Sequence, residues 1–302
     1  MDLNQLWVFY NVAKHKSFSS TAERLFVTQP LISMKVKQLE TAYNMKLIER
    51  SHRKIQLTNA GEILFAYADK IFNIVKEADN HMEDMKGIKV GNLKISAGLT
   101  LGTYYLPPLL AAFKKKYPDI EIHMKVKNKQ EVIDDILLLR DDLGFSGYME
   151  PHEKLVITPL WEEELVLIVS SFHEFAKLKT IPLCKLNGQP FILREKGSGT
   201  RELIEDKFNK GHVSTKVVME LESHEAIKRA VEVGLGISII PECAITKEEK
   251  KGRFKFVRLT KEKIFLKYYM IYHKDKYLST IIQTFIKMAL ELSHHQSEKR
   301  PY

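Results

Sequence analysis

Gln29, Pro30, Ser33, Met34 and Lys37 sit within one short stretch and carry the chemistry of base reading if that stretch is a helix. At 100° per residue Ile32, Val36, Leu39 and Tyr43, spaced 4, 3 and 4, form an apolar stripe. Pro30, Ser33, Met34 and Lys37 then fall on the opposite face, with Gln29 at the exposed amino end. Glutamine pairs in bidentate fashion with adenine, serine contacts either base class, and lysine reaches guanine or a phosphate, so this face can enter a major groove. A solvated surface helix of an all-α domain has the same period, and the flanking sequence must separate the two readings.

Upstream, Ser20 stands three residues before Glu23, a capping-box spacing, and Ala22, Leu25 and Phe26 supply an apolar face. Ser19 is the competing cap and is counted with the DNA-facing set. Thr28 is the expected N-cap of the reading helix, with Pro30 in its first turn, where a missing N–H costs nothing. Downstream, Arg50, His52, Arg53 and Lys54 precede Ile55-Gln56-Leu57-Thr58, a short basic hairpin suited to lie on phosphates as a wing. Residues 1–60 hold nine Lys/Arg against four acids, whereas residues 61–86 hold three bases against six acids. A basic head on an acidic stalk is the footprint of a chain that docks one end on a polyanion.

These residues resemble the amino terminus of the LysR-type transcriptional regulators. The resemblance rests on Leu6, Phe9, Phe18, Ala22-Glu23-Arg24-Leu25, Thr28-Gln29-Pro30, Ser33, Leu39-Glu40, Leu47-Ile48-Glu49-Arg50, and Leu57-Thr58 before Gly61. It implies a winged helix-turn-helix head over residues 1–58 that binds double-stranded promoter DNA through Ser19, Gln29, Pro30, Ser33, Met34, Lys37, Arg50, Arg53 and Lys54. Met34 departs from the family, where a polar or basic side chain is usual; it reads a thymine methyl or nothing.

A long linker helix is expected over residues 59–87, opening with Asn59 three residues before Glu62. Leu64, Ala68, Ile71, Val75, Ala78, Met82 and Met85 repeat 4-3-4-3-4-3, a heptad stripe. The alternative is a core helix of a larger domain. The resemblance implies a dimer through this helix, hence a twofold operator, and usually a tetramer. Ile71→Asp is expected to uncouple such a dimer.

Beyond Gly87 strands and helices alternate, which argues an α/β fold with helices on a mostly parallel sheet. The stretch 88–302 divides into lobe I (88–160 and 266–302) and lobe II (161–265). The resemblance implies an effector domain similar to type 2 periplasmic binding proteins, with a co-inducer between the lobes. Three loops that open helices at strand ends then face it: Leu99–Thr103, Gly197–Arg201 and Leu221–Ser223. The expected contacts are Thr100, Thr103, Ser146, Ser198, Gly199, Thr200, Arg201 and Ser223. Helix starts favour anions, so the effector reads as a small organic acid, a phosphorylated metabolite or an inorganic oxyanion. Plain capping by Thr100 and Thr200 is the competing account. The Gly-Ser-Gly-Thr-Arg run looks like the branch of the family that controls carbon or sulfur assimilation.

Other classes are disfavoured. With 302 residues, 44% of them hydrophobic, the chain supports two or three cores. Neither a signal peptide nor a run approaching 18 apolar residues is visible, so a cytoplasmic, nucleoid-associated protein with no membrane partner is expected. Cys184 and Cys243 read as buried free thiols, His294-His295 as a polar tail and not a metal site, and the final SEKRPY as disordered. No G-x-S-x-G, H-E-x-x-H or strand-borne G-x-G-x-x-G occurs, so no enzyme and no cofactor beyond a co-inducer is expected. Glu162-Glu163-Glu164 reads as solvated. Ligand-dependent repositioning of the heads would bend promoter DNA and alter access by RNA polymerase.

Overall fold

The computed structural model describes residues 2–51, 54–85, 91–246, 252, 254–260 and 263–298. Two compact units emerge, residues 1–86 with 138–140 and residues 87–137 with 141–302, so the stalk helix groups with the head.

In the head, α1 (Leu3–His15), α2 (Phe18–Arg24) and α3 (Gln29–Tyr43) close around Leu6, Phe9, Ile32 and Leu39, all fully buried. The cap of α2 differs from expectation. Ser17 Oγ accepts the Ser20 N–H at 3.1 Å, because the helix begins early enough to bury Phe18 and Thr21. Phe26, expected on the apolar face, is 95% exposed at φ +54°, since the chain turns there and turns its ring outward. Tyr43 also leaves the expected stripe and is exposed at the last turn of α3. Strands β1 (Ile48–Ser51) and β2 (Lys54–Leu57) pair antiparallel as the wing.

Helix α4 (Asn59–Met85) opens on Thr58, not Asn59: Gly61 N–H donates to Thr58 Oγ1 at 3.0 Å. The heptad stripe does not form one free seam. Ala68 is in the head core with Leu64 and Ile71 packed against it, whereas Val75, Ala78 and Met82 are exposed; the Met85 side chain lies outside the described residues.

In the larger unit β3 (Gly91–Gly98) leads through a π turn, Leu101–Tyr105, into α5 (Leu106–Lys116). Then come β4 (Ile120–Lys127), α6 (Lys129–Leu137), β5 (Leu143–Gly147), the 16-residue β6 (Leu155–Ser170) and β7 (Thr180–Pro182). The chain continues through β8 (Pro190–Arg194), α7 (Gly199–Lys210), β9 (Lys216–Leu221), α8 (His224–Glu232) and β10 (Ser238–Pro241). It ends with β11 (Phe254–Thr260), β12 (Ile264–His273) and α9 (Thr280–Glu298).

The sheet is not mostly parallel. β3 is parallel to β4 and β5, but β12 is antiparallel to β5 and β6, and β6 is antiparallel to β10 and β11. A ribbon of β6 and β12 runs through the unit, and its register shifts at Tyr268/Tyr269, opposite Trp161 and Pro159. Glu163, expected in solvent, is buried: its carboxylate accepts from Tyr105 Oη and, at 3.2 Å, from Cys243 N–H. Cys184 is exposed, because Leu183 and Leu186 take the core side of its 3-10 turn; Cys243 is half-buried, and neither forms a disulfide among the described residues. The tail expected to be disordered begins in α9, which includes Ser297 and Glu298 and the backbone of His294-His295. Among the described residues no helix is long and apolar enough to cross a membrane, and no cluster of three or more His, Cys, Asp or Glu could hold a metal.

Candidate nucleic-acid interface and effector cleft

On α3 the side opposite Ile32, Val36 and Leu39 is open: Gln29, Pro30, Met34 and Lys37 are exposed, and Ser33 is half-exposed. Ser19 is exposed on α2. Arg50 and Lys54 lie in the wing strands, but their side chains, and all of Arg53, fall outside the described residues.

Glu40 sets the wing on this helix. Its Oε1 accepts the N–H groups of Leu47 and Ile48 at 3.0 and 3.3 Å, and Lys46 Nζ donates to Oε2 at 3.0 Å. Burial alone would raise the carboxyl pKa, yet these donors together hold it below the usual carboxylate range. A lowered folded-state pKa means stabilisation that is present above the unfolded value of about 4.3 and lost as pH falls through the folded value. Glu40→Gln should therefore cost about 1–2 kcal/mol near neutral pH, and the gap from wild type should close in acid. Chemical denaturation at pH 7 and at pH 3.5 checks this; a pH-independent gap contradicts the charge-based account.

The effector cleft gathers several of the expected side chains and omits others. Thr100, Ser146, Ser198, Gly199 and Thr200 line a space of about 340 Å³ open to solvent. Gly199 is required there: a Cβ would meet the Gly147 carbonyl oxygen at 2.5 Å, so only glycine lets the start of α7 abut the end of β5. Ser198, the N-cap, makes no side-chain cap bond, and the first N–H groups of α7 have no intrahelical acceptor.

Thr103 is exposed and off the cleft wall, because the wide π turn rotates it away from Thr100. Ser223 is a cap, accepting the Ala226 N–H at 3.2 Å. Arg201 is committed elsewhere: Nε donates to Glu205 at 2.8 Å, and Nη1 to Glu220 and the Arg194 carbonyl, each at 2.9 Å. Burial works against its charge, but the two carboxylates outweigh it and raise its pKa.

Sequence reasoning missed the cations that do line the cleft, Lys127, Lys129 and Arg194. Lys127 pairs with Asp135 and Lys129 with Glu202, while Arg194 donates through Nε and Nη2 to Glu195 at 2.7 and 2.8 Å. Nη1 of Arg194 lies 3.4 Å from His224 Nε2, which sits 3.1 Å from Thr100 Oγ1. Tyr268 was also missed. It is 2% exposed and lines the cleft, with the Thr100 side chain beside its hydroxyl. Burial pushes that phenol well above its ordinary pKa, so it stays a donor. Cations and a helix start on one wall suit an anion.

The chain matches the bacterial regulatory helix-turn-helix protein, lysR family, over residues 3–62, and the LysR substrate binding domain over residues 87–293. It belongs to the LysR family of transcriptional regulators, which bind promoter DNA and small-molecule effectors and are not enzymes. It is 37% identical to the HTH-type transcriptional activator CmpR of Synechocystis over 94% of this chain and 93% of that protein. A probable RuBisCO transcriptional regulator of Cyanidioschyzon merolae is 33% identical over 96% of this chain and 98% of that one. The regulatory domain of CcmR from Synechocystis, solved in complex with 2-PG, superposes with a TM-score of 0.62 at 33% identity, covering 67% of this chain and 97% of that domain.

Proposed function

We propose that this regulator responds to a small phosphorylated carboxylate of the 2-phosphoglycolate (2-PG) kind, and that it governs genes of carbon assimilation. The observation that carries the reading is the start of α7, whose N-cap Ser198 makes no side-chain cap bond, on the wall of a cleft also lined by Arg194, Lys127 and Lys129. The first N–H groups of that helix have no intrahelical acceptor, and an anion oxygen supplies one. The 2-PG bound by CcmR and the RuBisCO-related name of a second relative support the same chemistry. Thr100 and the start of α7 complete the contacts, and the base-reading set is Gln29, Pro30, Ser33, Met34 and Lys37, flanked by Ser19 and by wing residues Arg50, Arg53 and Lys54.

In this reading the chain works in the cytoplasm on the nucleoid as a dimer joined through α4, pairing further to a tetramer. The ligand acts by binding one lobe arrangement better than another, which changes how the heads sit on the promoter and how RNA polymerase reaches it. Thermal shift with 2-phosphoglycolate, beside a gel shift on the chain's own promoter region, tests it. Wild type should gain several degrees. Arg194→Ala should lose that gain while binding operator within about threefold of wild type, since uncoupled sites behave additively. No shift in wild type, or an equal shift in Arg194→Ala, overturns the assignment.

A further inference from the structure

We infer that Glu202 is a specificity-determining residue of the effector cleft: its carboxylate holds the Lys129 ammonium, so a ligand must displace an internal anion before it can use that cation. The inference rests on the effector reading above and deepens it, because it decides how many acidic groups of the ligand the cleft recognises.

Lys127, Arg194 and Lys129, all on the cleft wall, each carry a carboxylate of the chain itself: Asp135, Glu195 and Glu202 in turn. The three pairs are not equally easy to open. The Asp135 side chain is 4% exposed, and parting it from Lys127 would leave a buried charge without its partner. Glu195 is 19% exposed and grips Arg194 through both oxygens, at 2.7 and 2.8 Å. Glu202 is 36% exposed and reaches Lys129 through one oxygen, Oε2. A carboxylate so placed turns into water at little cost, because exposed pairs are worth little. Glu202 is therefore the member that a ligand can replace.

Lys129 sets what the replacement gains. Its backbone N–H donates to the Gly197 carbonyl at 3.2 Å, in the loop that opens α7, so the residue is anchored beside the start of that helix. Its Nζ donates to the Tyr148 carbonyl at 3.2 Å as well as to Glu202. Two of the three ammonium protons are thus spent among the described residues, which leaves one for the cleft. With Glu202 in place, a ligand draws on that single donor next to a negative charge. With Glu202 turned away it draws on two, and no carboxylate opposes it. A ligand with one acidic group can settle on the helix start and Arg194, whereas a second acidic group must compete with Glu202 for Lys129.

The test is titration calorimetry on the full-length protein with 2-phosphoglycolate and inorganic phosphate as probes. Glu202→Gln should bind 2-phosphoglycolate about tenfold more tightly than wild type, because an opposing charge leaves and a cation is released. Inorganic phosphate, with one acidic group to place, should gain less than about threefold. Glu202→Asp keeps a negative charge in the first turn of α7 but is a methylene too short to hold Lys129, and should bind 2-phosphoglycolate about threefold more tightly. An acid that serves only the positive end of α7 predicts no gain from either change. Unchanged or weaker binding of 2-phosphoglycolate by Glu202→Gln, or an equal gain for both probes, overturns the inference. So does Glu202→Asp binding like wild type, since charge alone would then be at work and not the hold on Lys129. If wild type and Glu202→Gln both bind neither probe, the effector reading itself fails.

Discussion

Gly61→Ala should unfold the junction between wing and stalk and abolish operator binding at concentrations where wild type saturates. A Cβ built on Gly61 lies 2.0 Å from the Leu47 carbonyl oxygen and 3.0 Å from its carbon, both main-chain atoms that no rotamer change can move. That carbonyl is already in use, accepting the Thr58 N–H at 3.1 Å. Thr58 in turn donates its hydroxyl to the Lys46 carbonyl at 2.7 Å and accepts the Gly61 N–H. Residues 46–47 and 58–61 are thus tied by two bonds, with a third inside the turn at Thr58–Gly61, across a gap sized for a hydrogen atom. An added methyl must separate the start of β1 from the start of α4, at a cost of about 2–3 kcal/mol or more, since overpacking and broken bonds act together. The head should melt several degrees lower, and a gel shift should lose the retarded band. A variant that melts and binds like wild type would mean the crossing relaxes far more easily than a backbone contact can.

Gly61 and Glu40 show how far a sequence alone can be read. Both belong to the pattern by which the head was recognisable, and α3 begins at Gln29 as its cap and proline signals indicated. Their physical roles were not legible, because each depends on a contact between segments that local periodicity does not describe: Glu40 reaches N–H groups seven and eight residues on, and Gly61 meets Leu47. The cleft follows the same rule. Thr100, Ser198, Gly199 and Thr200 were legible as helix starts, which are local. Arg194 and Arg201, seven residues apart, were not separable from sequence. One ends β8 at the cleft, while the other turns to Glu205 and Glu220, and only the fold decides which. The 16-residue length of β6 is not legible in the sequence, because Pro159 and three consecutive glutamates look like a break. In the fold the register shift opposite Tyr268/Tyr269 absorbs the proline, and the glutamates find partners.

Ile74→Asp should split the proposed dimer, whereas Ile71→Asp should damage the head itself. The heptad stripe treats Leu64, Ala68 and Ile71 as partner-facing, but they pack into their own head beside Phe65 and Phe72, and Phe72 stacks edge-on to Trp7 at 4.7 Å. A second stripe is left uncovered: Ile63, Tyr67 and Ile74 are 56%, 62% and 53% exposed, and Ala78 follows in line. Their spacing of 4, 7 and 4 keeps them within about 60° of arc, whereas Val75 and Met82 lie roughly 80° further round. Three large apolar side chains half-exposed on one helical face are the surface that a twin helix covers in a symmetric, isologous contact. An aspartate at 74 puts two charges into that contact, one from each copy, without touching the head core. Sedimentation should then show monomers with an unchanged head melting temperature. Operator affinity should fall by about 10²-fold or more, because the second half-site no longer gains from being tethered to the first. Ile71→Asp instead buries a carboxylate against an apolar core and should cost the head about 3 kcal/mol. Should Ile74→Asp remain dimeric while a charge at Val75 or Met82 dissociates the chain, the contact lies on that flank of α4 and the stripe through Ile74 is mere surface.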